Sequence, residues 1–459
     1  MGVARGRCPM LSSLSDNVCA TGLSGPSVEF DVAPDEATRR MLVRWHEVYG
    51  PVYRIPAPQA RSPYWVIHDP ALVQQIMVRR AANYAKGMGL DRVRLLLGEG
   101  IMVSEGDFWA RQRRMLQPAF KPRRLADFNA MIAAENRALA ERWQAGAAHD
   151  TSVDVAAHIS ELTLVIVLKS IFGADYQSLV DGASNPFSLL SEEATRDLRF
   201  AARFHRLGKV VESVIDRRVD GRTRGADASF DFLGHLLAAR DRDGAGMSRR
   251  QLVDEVMTLI VAGHETTASA LAWAWYEIAR QPHICAQAQA EVDALGPDLA
   301  DEELADLADH ASDRLGFIDA IIHETLRLYP PGWLLSRRAI AHDTLGDYDI
   351  AAGDQIFISP YVLHRDRAHW HMPDRFMPER FLAERPAAPR FAYIPFAAGP
   401  RHCVGEHLAM TEMRVHLITM LRRFTPVYAG DHPPTLESRI NLRPGDGVPI
   451  RWRARKQSF

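Results

Sequence analysis

The sequence predicts a mainly α-helical fold with small β-sheets (α+β), and three observations carry that expectation. Apolar residues recur at three- and four-residue steps from Asp107 to about Leu328. Strand-like runs are short and confined to the two ends of the chain. One apolar stretch near 248–280, containing LIVAGHETTASALAWAWYEIA, reads as a long buried central helix. It does not read as a membrane span, because His264 and Glu265 interrupt it and the uncharged part after them is too short.

Taken in order, the first 27 residues are polar and rich in Gly and Ser, which predicts a poorly ordered extension before a single domain over 28–459. Residues 34–49 read as an amphipathic helix stopped by Gly50-Pro51. Val52–Ile55 and Tyr64–Ile67 read as a hairpin, and Asp69-Pro70 opens a helix through about Val78. Residues 85–105, with several glycines, read as a mobile loop. Strand signals return at Asp343–Ser359, with turns at Gly346-Asp347 and Gly353-Asp354, and again around Gly445-Asp446-Gly447. Sheets built from both ends imply one interwoven domain.

Composition narrows the function. The chain has 459 residues, 47% of them apolar and 24% charged, with a net charge of −2. That balance gives no bulk attraction to nucleic acid or to an anionic membrane. Four cysteines, Cys8, Cys19, Cys285 and Cys403, are too sparse for a disulfide framework and point to a reducing cytosol. No apolar run of signal or anchor length occupies the first thirty residues. No second catalytic module follows, so any reductase is expected to be a separate protein.

The most informative stretch is FAYIPFAAGPRHCVGEHLAMTE, 391–412. A turn-rich run delivers Cys403 to the N-terminus of a helix, where N–H groups and the dipole favour a thiolate. Gly399 permits a tight turn, and Gly405 lets something flat approach the backbone. Arg401 adds a fixed cation two residues before the cysteine. Two other readings stand beside this one: a buried apolar cysteine, and a zinc site from His402, Cys403 and His407.

Three further patterns lie upstream. Trp109 and Arg113, four apart in DFWARQRRMLQPAF, share a helix face and offer an indole N–H with a guanidinium, a pairing suited to a carboxylate. In Ala262-Gly263-His264-Glu265-Thr266-Thr267 an acid adjoins an alcohol on a helix that Gly263 weakens and the threonines can bend. Glu324 and Arg327 pair at i, i+3 before Pro330, and Pro378-Glu379-Arg380-Phe381 follows some fifty residues later. Each has a bland counterpart: a solvated arginine face, a polar kink in a core helix, a surface ion pair.

Together, F-x-x-G-x-R-x-C-x-G, W-x-x-x-R, AGHETT and E-x-x-R with a later arginine, in this order, resemble the cytochrome P-450 superfamily of haem-thiolate monooxygenases, in its soluble prokaryotic form. The resemblance covers the chain after about residue 30. It implies that family's fold, with a central I helix and a cysteine-ligand loop leading into the L helix. It implies haem b (iron protoporphyrin IX), with Cys403 as metal ligand in a loop that includes Gly399 and Gly405. Trp109, Arg113, Arg401 and Arg337 would hold the propionates, with the adjacent Arg338 competing for the last role. Phe396 would pack on the proximal face. Glu265 and Thr266 would be catalytic, delivering protons, and Glu324, Arg327 and Arg380 would form a structural triad. Ala262, Leu334, Leu335 and Leu442 are candidates for the substrate pocket, together with segments 85–104, 185–206 and Trp333–Leu335.

The implied activity is hydroxylation or epoxidation of a lipophilic small molecule, a fatty acid, terpenoid, steroid or polyketide, with dioxygen. Electrons would come from a ferredoxin or flavodoxin and its NAD(P)H-dependent reductase, docking on Arg111, Arg114, Lys121, Arg123 and Arg124. The protein is expected to be a cytoplasmic monomer with no membrane anchor and no nucleic-acid partner. A peroxygenase, a haem-thiolate isomerase or dehydratase, and a haem sensor remain as alternatives.

Overall fold

The computed structural model describes residues 25–57, 62–147, 150–180, 185–192, 198–221, 230–296, 299–309, 313–382 and 388–455. The extension expected over 1–27 therefore lies almost wholly outside the described residues. The central helix runs unbroken over Arg249–Arg280. Its start is fixed by Ser248, whose hydroxyl accepts from the Gln251 N–H while the Gln251 side chain returns to the Ser248 N–H. The predicted bend at the threonines does not break the helical pattern.

Gly263 has a packing reason instead. A Cβ there would lie 2.9 Å from Val167 Cγ2, on the helix Val155–Phe172 that crosses the central helix. The segment Val155–Val180 is long and apolar enough to cross a membrane, and 61% of its most apolar window is buried inside the fold. Contact with the central helix accounts for that apolarity.

The sheets join distant parts of the chain. In the five-stranded sheet, Val52–Ile55 pairs with Tyr64–Ile67, which continues to Gln355–Ile358, Leu335–Ala339 and Tyr84–Lys86. A second sheet brings Ser152–Asp154 to Pro449–Ala454 and Phe424–Tyr428. The hairpin Leu436–Ser438 with Leu442–Pro444 packs against the central helix.

Residues 85–105 are not a simple loop. They contain the end of the strand Tyr84–Lys86 and a helix over Leu90–Leu97. Gly89 (φ 94°) and Gly98 (φ 63°) are the caps of that helix. The same glycines that suggested a loop are there because chain entry and exit require positive φ. The helix opened by Asp69-Pro70 ends at Gln74 and continues as a wider π-turn over Gln75–Arg79.

Candidate active site

Cys403 sits where the sequence placed it, between a 3₁₀ turn at Gly399–Arg401 and the helix Glu406–Arg423, with Gly405 as N-cap. Its N–H donates to Phe396 O at 2.9 Å, closing the loop around the partly buried Phe396 ring. Gly399 has φ 70°, and a Cβ on it would come within 1.9 Å of Met77 O, so only glycine lets this loop dock on the π-turn. Gly405 differs. Its φ is −91°, and a Cβ would meet only Phe120 Cε1 at 3.8 Å and Cys403 Sγ at 4.0 Å. Nothing in the protein demands a glycine there, as expected if the space beside it belongs to a bound group.

Two cysteines are described, and they contrast. Cys285 is core, with its thiol pushed up to about 11 by burial. Cys403 is exposed by surface area although it lies deep within the protein envelope, which places it on the wall of an open cavity. Burial is the largest influence on its thiol and raises it; the Gly405 and Glu406 N–H groups and Arg113 pull the other way, and the Glu406 carboxylate adds to the rise. The helix N-terminus favours the thiolate, as the sequence reading has it, but burial opposes it more strongly. A bound metal cation would make the thiolate outright. The zinc alternative loses its ligands. His407 turns to Asp309 at 2.7 Å and His402 to Glu406 at 3.2 Å, and among the described residues no group of three metal-binding side chains forms.

Above the loop lies a cluster of cations. Arg401 stacks on the Trp109 ring, 3.8 Å from its centroid, donates to Ser104 O at 2.9 Å, and pairs with Glu105. On the strand Leu335–Ala339 the alternation puts Arg337 inside, 8% exposed, and Arg338 outside. Burial first, and then the neighbouring Arg401, pulls the Arg337 guanidinium down to about 10. Lys86, which sequence reasoning missed, enters from the partner strand opposite Arg337. Its ammonium donates to Ile101 O and Met102 O, and burial, reinforced by Arg401, lowers it to about 7. Arg113 is half-buried and its charge is felt at Cys403. Lys86, Arg337 and Arg401 thus gather around Glu105, a net positive, desolvated cradle beside an accessible thiol. Such a cradle fits a dianionic group and is costly without one.

The central helix supplies the acid–alcohol pair. Thr266 Oγ1 donates back to Ala262 O at 2.8 Å, and Glu265, partly buried, accepts from Asn441 Nδ2 at 2.8 Å. His264, next to them, is buried against Ser160 Oγ at 2.9 Å and serves helix packing. Ala262, Leu334 and Leu335 retain accessible surface. Leu442 does not: it is 0% exposed, packed among Trp45, Trp333 and Phe357, and cannot line an open substrate pocket. Its neighbour Asn441, in the turn just before the strand, is the residue that reaches the helix. Trp333 is likewise core. Within 185–206, residues 193–197 lie outside the described residues.

Below the loop, Glu324 accepts from Arg327 at 2.7 and 2.8 Å and from Arg380 Nε at 3.0 Å. Glu324 and Arg327 are both 0% exposed. Arg327 also donates to the carbonyls of His364, Pro373 and Arg375, so every part of its fork is used. His364 Nε2 accepts the Ile394 N–H at 2.9 Å and so carries the network into the segment before Cys403. Of the basic residues assigned to docking, Arg111 is taken up internally. It pairs with Asp241 at 2.6 Å and donates to Gly246 O at 2.9 Å. Arg114, Lys121, Arg123 and Arg124 are exposed, with Arg124 over the Phe230 ring.

An accessible thiol, a cationic cradle and a separate acid–alcohol helix suit a metal-bearing dianion and proton-coupled chemistry. The family model for cytochrome P450 matches residues 29–447. Cyclooctatin synthase of Streptomyces melanosporofaciens is 34% identical over 385 residues, 79% of this chain and 80% of that protein. Carotene epsilon-monooxygenase of Arabidopsis thaliana, a chloroplastic protein, is 29% identical over 448 residues, 89% of this chain and 80% of that one. The crystal structure of the cytochrome P450DA heme domain superposes with a TM-score of 0.78 at 26% identity, covering 92% of this chain and 94% of that one. With its fold, its thiol loop and these relatives in agreement, the chain belongs to the cytochrome P450 family and is a monooxygenase that uses haem.

Proposed function

We propose that this monooxygenase carries haem b and hydroxylates or epoxidises an alkene-bearing terpenoid, taking electrons from a separate ferredoxin or flavodoxin and its NAD(P)H-dependent reductase. The observation that carries the cofactor assignment is the cradle of Lys86, Arg337 and Arg401 beside the accessible Cys403. Cys403 would hold the iron, and Trp109, Arg113, Arg337, Arg401 and Lys86 the two propionates. Haem, when bound, supplies dioxygen activation and oxygen transfer to a C–H or C=C bond.

The chain's own residues orient and protonate. Phe396 shields the cysteine side of the site and limits water there. Because the Thr266 proton is committed to Ala262 O, the Thr266 hydroxyl acts by accepting a hydrogen bond. Glu265 is then the group that brings protons from solvent. Glu324, Arg327 and Arg380 act as a structural triad beneath the loop.

The terpenoid class rests on two relatives whose names contain carotene, a polyene terpenoid hydrocarbon, and cyclooctatin. The half-exposed Ala262, Leu334 and Leu335 give an apolar lining compatible with it. The partner is acidic and docks on Arg114, Lys121, Arg123 and Arg124, with the enzyme a cytoplasmic monomer. A titration of haem spin state against terpenoids, fatty acids, steroids and macrolides, followed by mass spectrometry of products, tests the substrate. A terpenoid should give the largest shift and gain one oxygen atom; a shift confined to fatty acids or steroids sinks this assignment.

A further inference from the structure

The acid of the proton pair is held from an unexpected direction. Asn441 lies at the end of the turn 439–441, between the strands Leu436–Ser438 and Leu442–Pro444. The hairpin is fixed at several points. Leu442 N–H donates to Pro331 O at 3.2 Å, Trp333 Nε1 donates to Arg439 O at 2.7 Å, and Ser438 Oγ accepts from Arg39 Nε at 2.8 Å. Leu442 is wholly buried, so the neighbouring Asn441 has little freedom to move. Its amide reaches Glu265 Oε2 at 2.8 Å, across 176 residues of sequence.

A glutamate side chain has three rotatable bonds, and a partly buried one on a helix can swing between several directions. A donor carried by an anchored hairpin selects one of them. Thr266 cannot make that selection, because its proton is already given to Ala262 O.

We propose that Asn441 is a positioning residue for proton delivery, setting the direction of the Glu265 carboxylate from the C-terminal hairpin. This rests on the reading of Glu265 as proton carrier. The chemistry gives the proposal a clear readout. Dioxygen, two electrons and two protons, with substrate, give hydroxylated product and water; without oxygen transfer, the same electrons and protons reduce dioxygen to hydrogen peroxide. A misdirected proton source shifts electrons from the first outcome to the second.

The test compares the holoenzyme with Asn441→Leu, Glu265→Gln and the double variant. Geranylgeraniol is the first probe, replaced by whichever terpenoid of the spin-state panel shifts the haem most. Peroxide released per electron pair is measured, and substrate affinity is read separately from the spin-state titration. Asn441→Leu should raise the peroxide share severalfold, up to about tenfold, with affinity changed less than about twofold. In the Glu265→Gln background the same substitution should add nothing.

A raised peroxide share in Glu265→Gln but not in Asn441→Leu overturns the positioning role alone. Additive effects in the double variant also overturn it, since Asn441 would then act independently of Glu265. An unchanged share in Glu265→Gln removes the underlying proton reading instead. Hydrogen exchange of the 438–442 amides gives a readout independent of turnover. It should stay unchanged in Asn441→Leu, because Pro331, Trp333 and Arg39 hold the hairpin; quickened exchange would mean the substitution loosens the hairpin itself and overturns the reading of Asn441 as a donor on an anchored frame.

Discussion

Arg337 and Arg338 show how one residue of strand register decides which side chain enters the interior. The sequence presents two adjacent arginines of equal chemistry. The pleat sends Arg337 inward to Arg401 and Lys86, and Arg338 to solvent. Arg337→Met is expected to weaken haem retention roughly tenfold or more, since a hydrogen bond to a charged group is worth about 1.5–3 kcal/mol. Arg338→Met should leave retention unchanged; haem content after gel filtration checks both. Lys86 adds a pH signature. Its ammonium is lowered to about 7 by burial and by Arg401, so haem-free protein at pH 8 holds this side chain mostly neutral. Bringing two carboxylates beside it restores the charge, so haem binding at pH 8 should take up about one proton, and apparent affinity should fall as pH rises above 7. Lys86→Met should abolish the uptake, measured with an indicator dye in unbuffered solution. His364 runs in the opposite pH range. Burial, then the Arg327 charge, depresses its imidazole to about 3, below its ordinary value of 6.5. The stability it contributes is complete above about pH 6.5 and declines by about 1.4 kcal/mol per pH unit as pH falls towards 3. Urea midpoints between pH 7 and 4 should show that loss, reduced in a variant without this imidazole.

At the scale of elements, the cysteine loop was legible because its residue types are dictated by local geometry. Gly399 must adopt φ 70° against Met77 O, and the helix after Gly405 carries its own periodicity. The two glycines should nonetheless separate in experiment. Gly399→Ala meets backbone at 1.9 Å and should lower the stability of even haem-free protein by about 3 kcal/mol or more. Gly405→Ala meets nothing closer than 3.8 Å and should leave haem-free stability within about 0.5 kcal/mol while impairing haem uptake. Thermal melts and haem titration distinguish them. The central helix was also legible in position and length, from Ser248 to Arg280. What its sequence hid was the reason for Gly263, a contact with Val167 made about 100 residues away in the chain. The helix Leu90–Leu97 was hidden for a related reason. Glycine caps and glycine loops have the same composition, and only packing separates them.

Across the whole molecule, the interwoven sheets follow from strand signals at both chain ends. The strand Ser152–Asp154 and its pairing with Pro449–Ala454 were not readable: the strand falls inside the stretch expected to be helical, and pairing is set by tertiary closure rather than by local pattern. The same limit explains Leu442, expected at the pocket and found in the core, and Arg111, expected at a docking face and found paired to Asp241. The buried ion network beneath the loop is the structure's global tie. Glu324→Gln strands two arginines and should cost about 3–5 kcal/mol, with haem lost alongside the fold, whereas Arg114→Glu should slow reduction by an acidic partner and leave the melting temperature unchanged. Whether Cys403 holds the haem iron is read from the absorption spectrum of the reduced carbon monoxide complex. The wild-type protein should give a strongly red-shifted Soret band that disappears in Cys403→Ala; an unshifted band in the wild type, or a red-shifted band that survives Cys403→Ala, would contradict thiolate ligation by Cys403.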